Sequence, residues 1–169
     1  MKFLTVKLNK EHDRATFRCS QQTLNNYLKF QATKESKQGL AKVYVLCDAA
    51  KRVTGYYTLS SAELPRDCIP ADLLKKLPKG YFGYPAILIG RLAITEEEAG
   101  KGLGGELLVD AILRCIVYAE EIGTSVIIVH PIDTRAESFY RKYMFVKLPD
   151  ANSMILKIDH QLKQHFGLV

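Results

Sequence analysis

No apolar run in this sequence approaches the ~20 residues that a membrane span requires, and the N-terminal MKFLTVKLNKEHDR is too charged for a secretion signal. The four cysteines, Cys19, Cys47, Cys68 and Cys115, stand far apart without a CxxC pair. That spacing speaks against a metal site or a disulfide framework and predicts free thiols in a cytoplasmic protein with no membrane contact. Internal repeats and low-complexity tracts are missing too. What remains is an ordinary globular composition, 47% hydrophobic and 25% charged over 169 residues. It predicts one domain, residues 1–169, large enough for a substantial core.

Positive charge is unevenly placed. Residues 1–84 hold 15 Lys and Arg against 7 Asp and Glu, whereas residues 85–169 hold 9 against 11. The overall +6 therefore belongs to the N-terminal half. A one-sided excess suits a polyanionic partner such as a nucleic acid. Two lysine clusters are placed to meet it: Lys29, Lys34 and Lys37, and Lys75, Lys76 and Lys79.

Hydrophobic patterning gives the elements in order. Phe3–Leu8 alternates as a half-buried strand. Ser20 is placed to cap a helix over Gln21–Lys37, with Leu24, Tyr27, Leu28 and Gln31 inward and Gly39 at its end. Ala41–Cys47 and Arg52–Ser60 read as a hairpin around Asp48–Lys51. An irregular, proline-marked segment follows over 62–84, with one helical turn near 71–76; its length and its Arg66 and lysines suit substrate contact. A buried strand runs over Ala86–Ile94. The helix from Gly102 to Ile122 turns Leu103, Leu107, Leu108, Ala111, Ile112, Cys115 and Ala119 inward and sets Asp110 and Arg114 as an outer i,i+4 pair. Ser125–Val129 is a buried strand, Thr134–Glu137 a capping box opening a helix to Lys142, and Phe145–Leu148 and Ser153–Ile158 a final hairpin.

The chemistry concentrates in PAILIGRLAITEEEAGKGLGG, residues 85–105. A strand leading through glycines into a helix presents unblocked N–H groups to a phosphate. Gly100, Gly102, Gly104 and Gly105 permit close approach, and Lys101 adds charge. A Walker loop is excluded, because Lys101 is followed by Gly102 and not by Ser or Thr. Gly100-x-Gly102-x-x-Gly105 fits the dinucleotide pattern, but no ribose-binding acid follows at the next strand.

Arg91-Leu92-Ala93-Ile94 with Gly100-Lys101-Gly102-Leu103-Gly104 resembles the acetyl-CoA signature of the GNAT acetyltransferase superfamily, with Ala99 where Gln or Arg is usual. The element order is similar as well. Further pieces resemble the subgroup of bacterial type II toxins that acetylate aminoacyl-tRNA: His12-Asp13-Arg14-x-x-Phe17-x-Cys19, Gly55-Tyr56-Tyr57-Thr58-Leu59, Gly90-Arg91-Leu92-Ala93 and His130-Pro131-x-Asp133-x-x-Ala136-x-x-Phe139-Tyr140. Ser20 and Met144 stand where these toxins carry Gly.

The resemblance implies an α/β (α+β) fold, a mixed, mostly antiparallel sheet flanked by helices and splayed where acetyl-CoA wedges. It implies acetyl-CoA as co-substrate, held by Leu92, Ala93, Ile94, Gly100, Lys101, Gly102, Leu103, Gly104, Gly105, Asp133, Ala136 and Phe139. It implies Tyr140 as the acid for the departing thiolate, which on spacing alone is equally a core aromatic, as Phe139 and Tyr143 are expected to be. The partners implied are an aminoacyl-tRNA, a ribbon–helix–helix antitoxin and a second copy of the chain. Arg91 is a candidate substrate contact or a simple ion-pair partner, and His130 a candidate base that is more often structural.

One absence separates substrates. Lysine acetyltransferases often carry a Glu on the central strand, and Ala86–Ile94 has no carboxylate. A lysine amine is neutral in only about four parts in ten thousand at pH 7, an α-amine in about a tenth. A site without a base thus suits an aminoacyl ester. Acetylation of a protein N-terminus or small amine, or a non-catalytic CoA-binding or nucleic-acid-binding fold, stands as the alternative.

Overall fold

The computed structural model describes residues 3–149 and 151–168. They form two compact units. The first holds the chain up to Ser60 and again Ile89–Arg114; the second holds Ser61–Leu88 and the chain from Cys115 onward. Strands β1 (Val6–Lys7), β2 (Lys42–Cys47), β3 (Val53–Pro65) and β4 (Gly83–Ile94) neighbour one another in that order, and β4 is followed by β5 (Val126–Val129), β7 (Met154–Lys157) and β6 (Val146–Lys147). The sheet is mixed and mostly antiparallel, as expected, with helices flanking it.

In the first unit, β1 to β3 form a meander with Val6 opposite Val45 and Tyr44 opposite Tyr57. Asp48 closes the β2–β3 turn: its Oδ1 accepts the N–H groups of Ala50 and Arg52 at 2.9 Å each. The N–H of Thr95 donates to Thr54 O at 2.8 Å, tying the end of β4 to the start of β3. The core here gathers Phe17, Tyr27, Leu28, Val43, Val45, Tyr56 and Ala93.

The N-terminal helix departs from the expected pattern. It comprises α1 (Gln22–Asn26), a π turn (Tyr27–Gln31) and α2 (Ala32–Lys37). The wide turn inserts a residue, so Ala32 is buried where a 3.6-residue period places Gln31, which is exposed. Ser20 does not cap it. Gln21 is the N-cap, without a side-chain bond, because the buried Asn25 holds the loop instead, accepting from Cys19 N–H at 2.8 Å and donating to Cys19 O at 3.0 Å. Gly39, at φ +74°, ends the helix with Leu40 N–H bonded to Glu35 O, as expected.

Helix α4 (Leu103–Ile122) buries Leu107, Leu108, Ala111, Ile112, Cys115 and Ala119. Asp110 and Arg114 are not on its outer face: they are 4% and 7% exposed. Hydroxyls from β3 and the segment before β1 meet them there, which makes burial of both charges possible.

In the second unit, β3 extends to Pro65, so the irregular segment is shorter than predicted. It contains a 3₁₀ turn (Arg66–Cys68) and α3 (Ala71–Leu74) before β4 begins at Gly83. Thr124 Oγ1 donates to Pro85 O at 2.6 Å. This brings the beginnings of β4 and β5 side by side, so these strands, joined through α4, run the same way. Strand β5 is wholly buried and pairs antiparallel with β7, Val126 opposite Lys157. The hairpin expected around Pro149–Asn152 is closed by Leu148 N–H to Ser153 O at 3.0 Å; its Asp150 lies outside the described residues. Helix α6 (His160–His165), capped by Asp159, has no counterpart in the sequence reading.

Helix α5 (Thr134–Arg141) is capped by Asp133, whose Oδ1 accepts from Ala136 N–H at 2.7 Å; the predicted capping box at Thr134 does not form, and Glu137 pairs with Lys147. At its other end Phe145 N–H bonds to Tyr140 O and Met144 adopts φ +67°. A left-handed non-glycine residue costs about 1–2 kcal/mol, and Met144 is largely exposed, so it returns little by packing. Met144→Gly should therefore stabilise the chain by up to about 1 kcal/mol after the glycine's extra unfolded entropy is counted; an unchanged or lower denaturation midpoint would contradict this.

Candidate active site and basic face

The turn before α4 is left-handed at Gly100 (φ +79°) and Gly102 (φ +91°), and a Cβ at either would meet open space. Glycine is required there by conformation, not by crowding. The N–H of Gly105 is bonded to Gly102 O at 2.9 Å and Gly105 is buried. It is thus removed from the expected set of anion donors. Gly102, Leu103 and Gly104 have N–H groups with no acceptor among the described residues, as the first turn of a helix leaves them. Lys101 is exposed beside them, 3.4 Å from Glu98.

Gly104 is helical, and a Cβ on it would touch only Ile94 Cδ1 at 3.7 Å. Gly104→Val should fold normally while its branched side chain covers the free N–H groups. Loss of a charge-assisted hydrogen bond to phosphate predicts about 10- to 100-fold weaker acetyl-CoA binding; unchanged affinity by calorimetry would remove phosphate binding from this turn.

The end of β4 lies in the same unit. Since Thr95 N–H points to β3, alternation turns Ala93 N–H to β3 as well and directs those of Leu92 and Ile94 away from it. Of the three, only Leu92 and Ile94 can offer a donor to an acyl oxygen. The Thr95 hydroxyl is buried without a partner among the described residues, a feature nothing in the sequence signals.

Arg91, half-buried, has its Cζ 3.6 Å from the Tyr27 ring centroid and Nη1 3.6 Å from Glu35. Of its two readings, the ion pair is the one made within the chain. The Tyr27 side chain is 2% exposed and its hydroxyl is unpartnered among the described residues. Burial pushes this phenol far above its usual range, and Glu35 adds to the shift.

One helical turn further, Lys29, Lys34 and Lys37 line a groove of ≈ 530 Å³ with Arg14, Phe30, Thr33 and Gln38. Arg14 Nη1 donates to Thr33 Oγ1 at 2.6 Å and to Leu28 O at 3.3 Å, within the π turn. His12, Asp13 and Arg14 do not pair with one another: His12 accepts from Asn9 N–H and Asp13 from Ala15 N–H.

The second unit holds the other expected residues. Tyr140 is half-buried between the rings of Phe139 and Phe145, centroids 5.3 and 5.4 Å away. Its hydroxyl has no hydrogen-bond partner among the described residues, and burial pushes its pKa up to about 12. Phe139 and Tyr143 are also half-buried, not core residues, and Asp133 and Ala136 are committed to each other through the cap. His130 is exposed, its Nδ1 2.9 Å from Ser153 Oγ. Lys75, Lys76 and Lys79 are exposed around α3, apart from the Lys29 cluster in sequence and in unit.

No family model matches the chain. It is 33% identical over 139 residues to a tRNA-acetylating toxin of Mycobacterium tuberculosis, covering 82% of this chain and 81% of that one. A solved tyrosine-to-phenylalanine mutant of KacT superposes with a TM-score of 0.84 at 26% identity, over 92% of this chain and 93% of the other. AtaT complexed with acetyl-methionyl-tRNAfMet gives 0.87 at 24% identity over 98% and 99%. AtaTR bound with acetyl-CoA gives 0.83 at 24% over 96% of each chain.

Proposed function

We infer the reaction from one premise: the chain belongs to the family of tRNA-acetylating toxins. It transfers the acetyl group of acetyl-CoA to the α-amine of an aminoacyl-tRNA, and the blocked amine can no longer serve in translation. The observation that carries this reading within the chain is the α4 start, where Gly100 and Gly102 are left-handed and three N–H groups stay free for a pyrophosphate. Lys101 supports the same contact.

In this reading the neutral α-amine attacks the thioester carbon, and the oxygen that becomes negative is met by the N–H of Leu92 or Ile94. The C–S bond breaks, the Tyr140 hydroxyl donates its proton to the departing sulfur, and the proton shed by the amine nitrogen restores the phenol, so that amide and thiol form with protons balanced. No carboxylate stands on β4 to act as a base, which suits an amine that is partly neutral already. The lysine clusters of both units carry the sign that tRNA phosphates need. A single domain, a ribbon–helix–helix antitoxin as partner, a homodimer and a cytoplasmic location complete the proposal; the structure of a mutant AtaT toxin bound to the C-terminus of the antitoxin AtaR supports an antitoxin.

Incubation with total charged tRNA and labelled acetyl-CoA tests it. The label should be recovered as N-acetyl amino acid after mild ester hydrolysis. Label found only on protein N-termini or on small amines would overturn the assignment.

A further inference from the structure

The π turn presents Phe30 outward, 75% exposed, in a groove that it lines together with four cations, Lys29, Lys34, Lys37 and Arg14, and the polar Thr33 and Gln38. No acidic side chain lines this groove. The only carboxylate on α2, Glu35, is engaged by Arg91, and none of the three lysines forms an ion pair among the described residues. An isolated exposed aromatic among cations is poorly suited to a protein core contact, since burying it would desolvate the charges around it. It is well suited to a base, whose ring stacks on the aromatic while its phosphates meet the lysines.

Position narrows the choice of base. One turn before Phe30, Tyr27 lies under the Arg91 guanidinium, and Arg91 stands three residues, about 10 Å, before Ile94 on β4. The aminoacyl ester hangs from the 3′-terminal nucleotide, so a tRNA whose α-amine reaches Ile94 carries its unpaired 3′ nucleotides across neighbouring surface of this same unit. Resting on the reaction inferred above, we propose that Phe30 is the stacking platform for an unpaired nucleotide of the tRNA 3′ end, with Lys29, Lys34 and Lys37 holding the adjoining phosphates.

The test compares the wild type, Phe30→Ala and Phe30→Trp in binding deacylated tRNA and the same tRNA trimmed of its unpaired 3′ nucleotides, from 50 to 200 mM salt. Phe30→Ala should bind intact tRNA about 5- to 100-fold more weakly, the worth of one stacked base, with the slope of affinity against salt unchanged. Replacing the three lysines by Gln should flatten that slope. Phe30→Trp should bind like the wild type. On trimmed tRNA the wild type should already be weak and Phe30→Ala no weaker. Because the ring is exposed, all variants should melt together.

Wild-type binding by Phe30→Ala would overturn the proposal, and so would an equal loss on both tRNAs. A loss of self-association or antitoxin capture with tRNA binding intact would make this face a protein interface instead. Failure of the wild type to acetylate charged tRNA would refute the reaction, a result distinct from any of these binding outcomes.

Discussion

Tyr140→Phe should lower the single-turnover rate of acetyl transfer by about 10²–10⁴-fold, the usual worth of a positioned acid, while acetyl-CoA affinity and thermal stability stay where they were. The substitution deletes one oxygen. The ring contacts with Phe139 and Phe145 do not involve that oxygen, and no hydrogen bond among the described residues is lost with it. No residue of α5 is fully buried, and its Asp133 cap, the Glu137–Lys147 pair and the half-buried rings are all left in place. Burial, which raises the pKa to about 12, keeps the hydroxyl protonated at every pH at which the enzyme would be assayed. Loss of its proton therefore cannot shape the pH profile below about pH 11. The rise in kcat/KM toward pH 8 should follow deprotonation of the acceptor amine and survive, scaled down, in Tyr140→Phe. In cells the variant should be expressible without an antitoxin. A folded Tyr140→Phe with wild-type turnover would reduce Tyr140 to a packing residue.

Sequence patterns marked the features that local backbone geometry dictates. The glycines at 100 and 102 were legible as a turn open to an anion, and both are left-handed; Met144 stood out through resemblance, in a glycine position, which its φ of +67° explains. The inward face of α4 followed its period faithfully. Features set by tertiary context were hidden. An i,i+4 pair looks the same whether water or a sheet covers it, so Asp110 and Arg114 read as surface. The π turn shifts every later position of the N-terminal helix by one, which no fixed period reports, so that Ala32 is buried in place of Gln31. The cap of α5 falls one residue before the expected Thr134, on Asp133, whose carboxylate accepts from Ala136 N–H. Prolines at 65, 70 and 78 made 62–84 look irregular, although β3 continues up to the first of them. Tyr140 stood apart from Phe139 and Tyr143 only through resemblance, since spacing on a helix cannot tell an acid from a filler.

Asp110→Ala should destabilise the first unit by about 3–5 kcal/mol, or a fall in Tm on the order of 10 °C for a chain of this size. Asp110 Oδ2 accepts from Thr5 Oγ1 at 2.6 Å and from the Tyr57 hydroxyl at 2.7 Å, and Oδ1 accepts from Leu4 N–H. Arg114 donates from Nε to Tyr57 at 2.7 Å and from Nη2 to Thr5 O at 3.1 Å, with its Cζ 3.8 Å from the Phe3 ring centroid. Removing the carboxylate takes a negative charge from beside a buried guanidinium and strips acceptors from two hydroxyls and an N–H, each a separate penalty. Arg114→Met in the same background should recover part of the loss, because a buried charge is removed with it. Breaking the exposed Lys51–Glu11 pair should leave the melt unchanged, since water already solvates it. Below its melting range Asp110→Ala should still bind acetyl-CoA, as the network lies nearly two helical turns past the glycines. A melt indistinguishable from wild type would mean that water reaches this pair in solution, and the tie between α4 and the first strands would have to lie elsewhere.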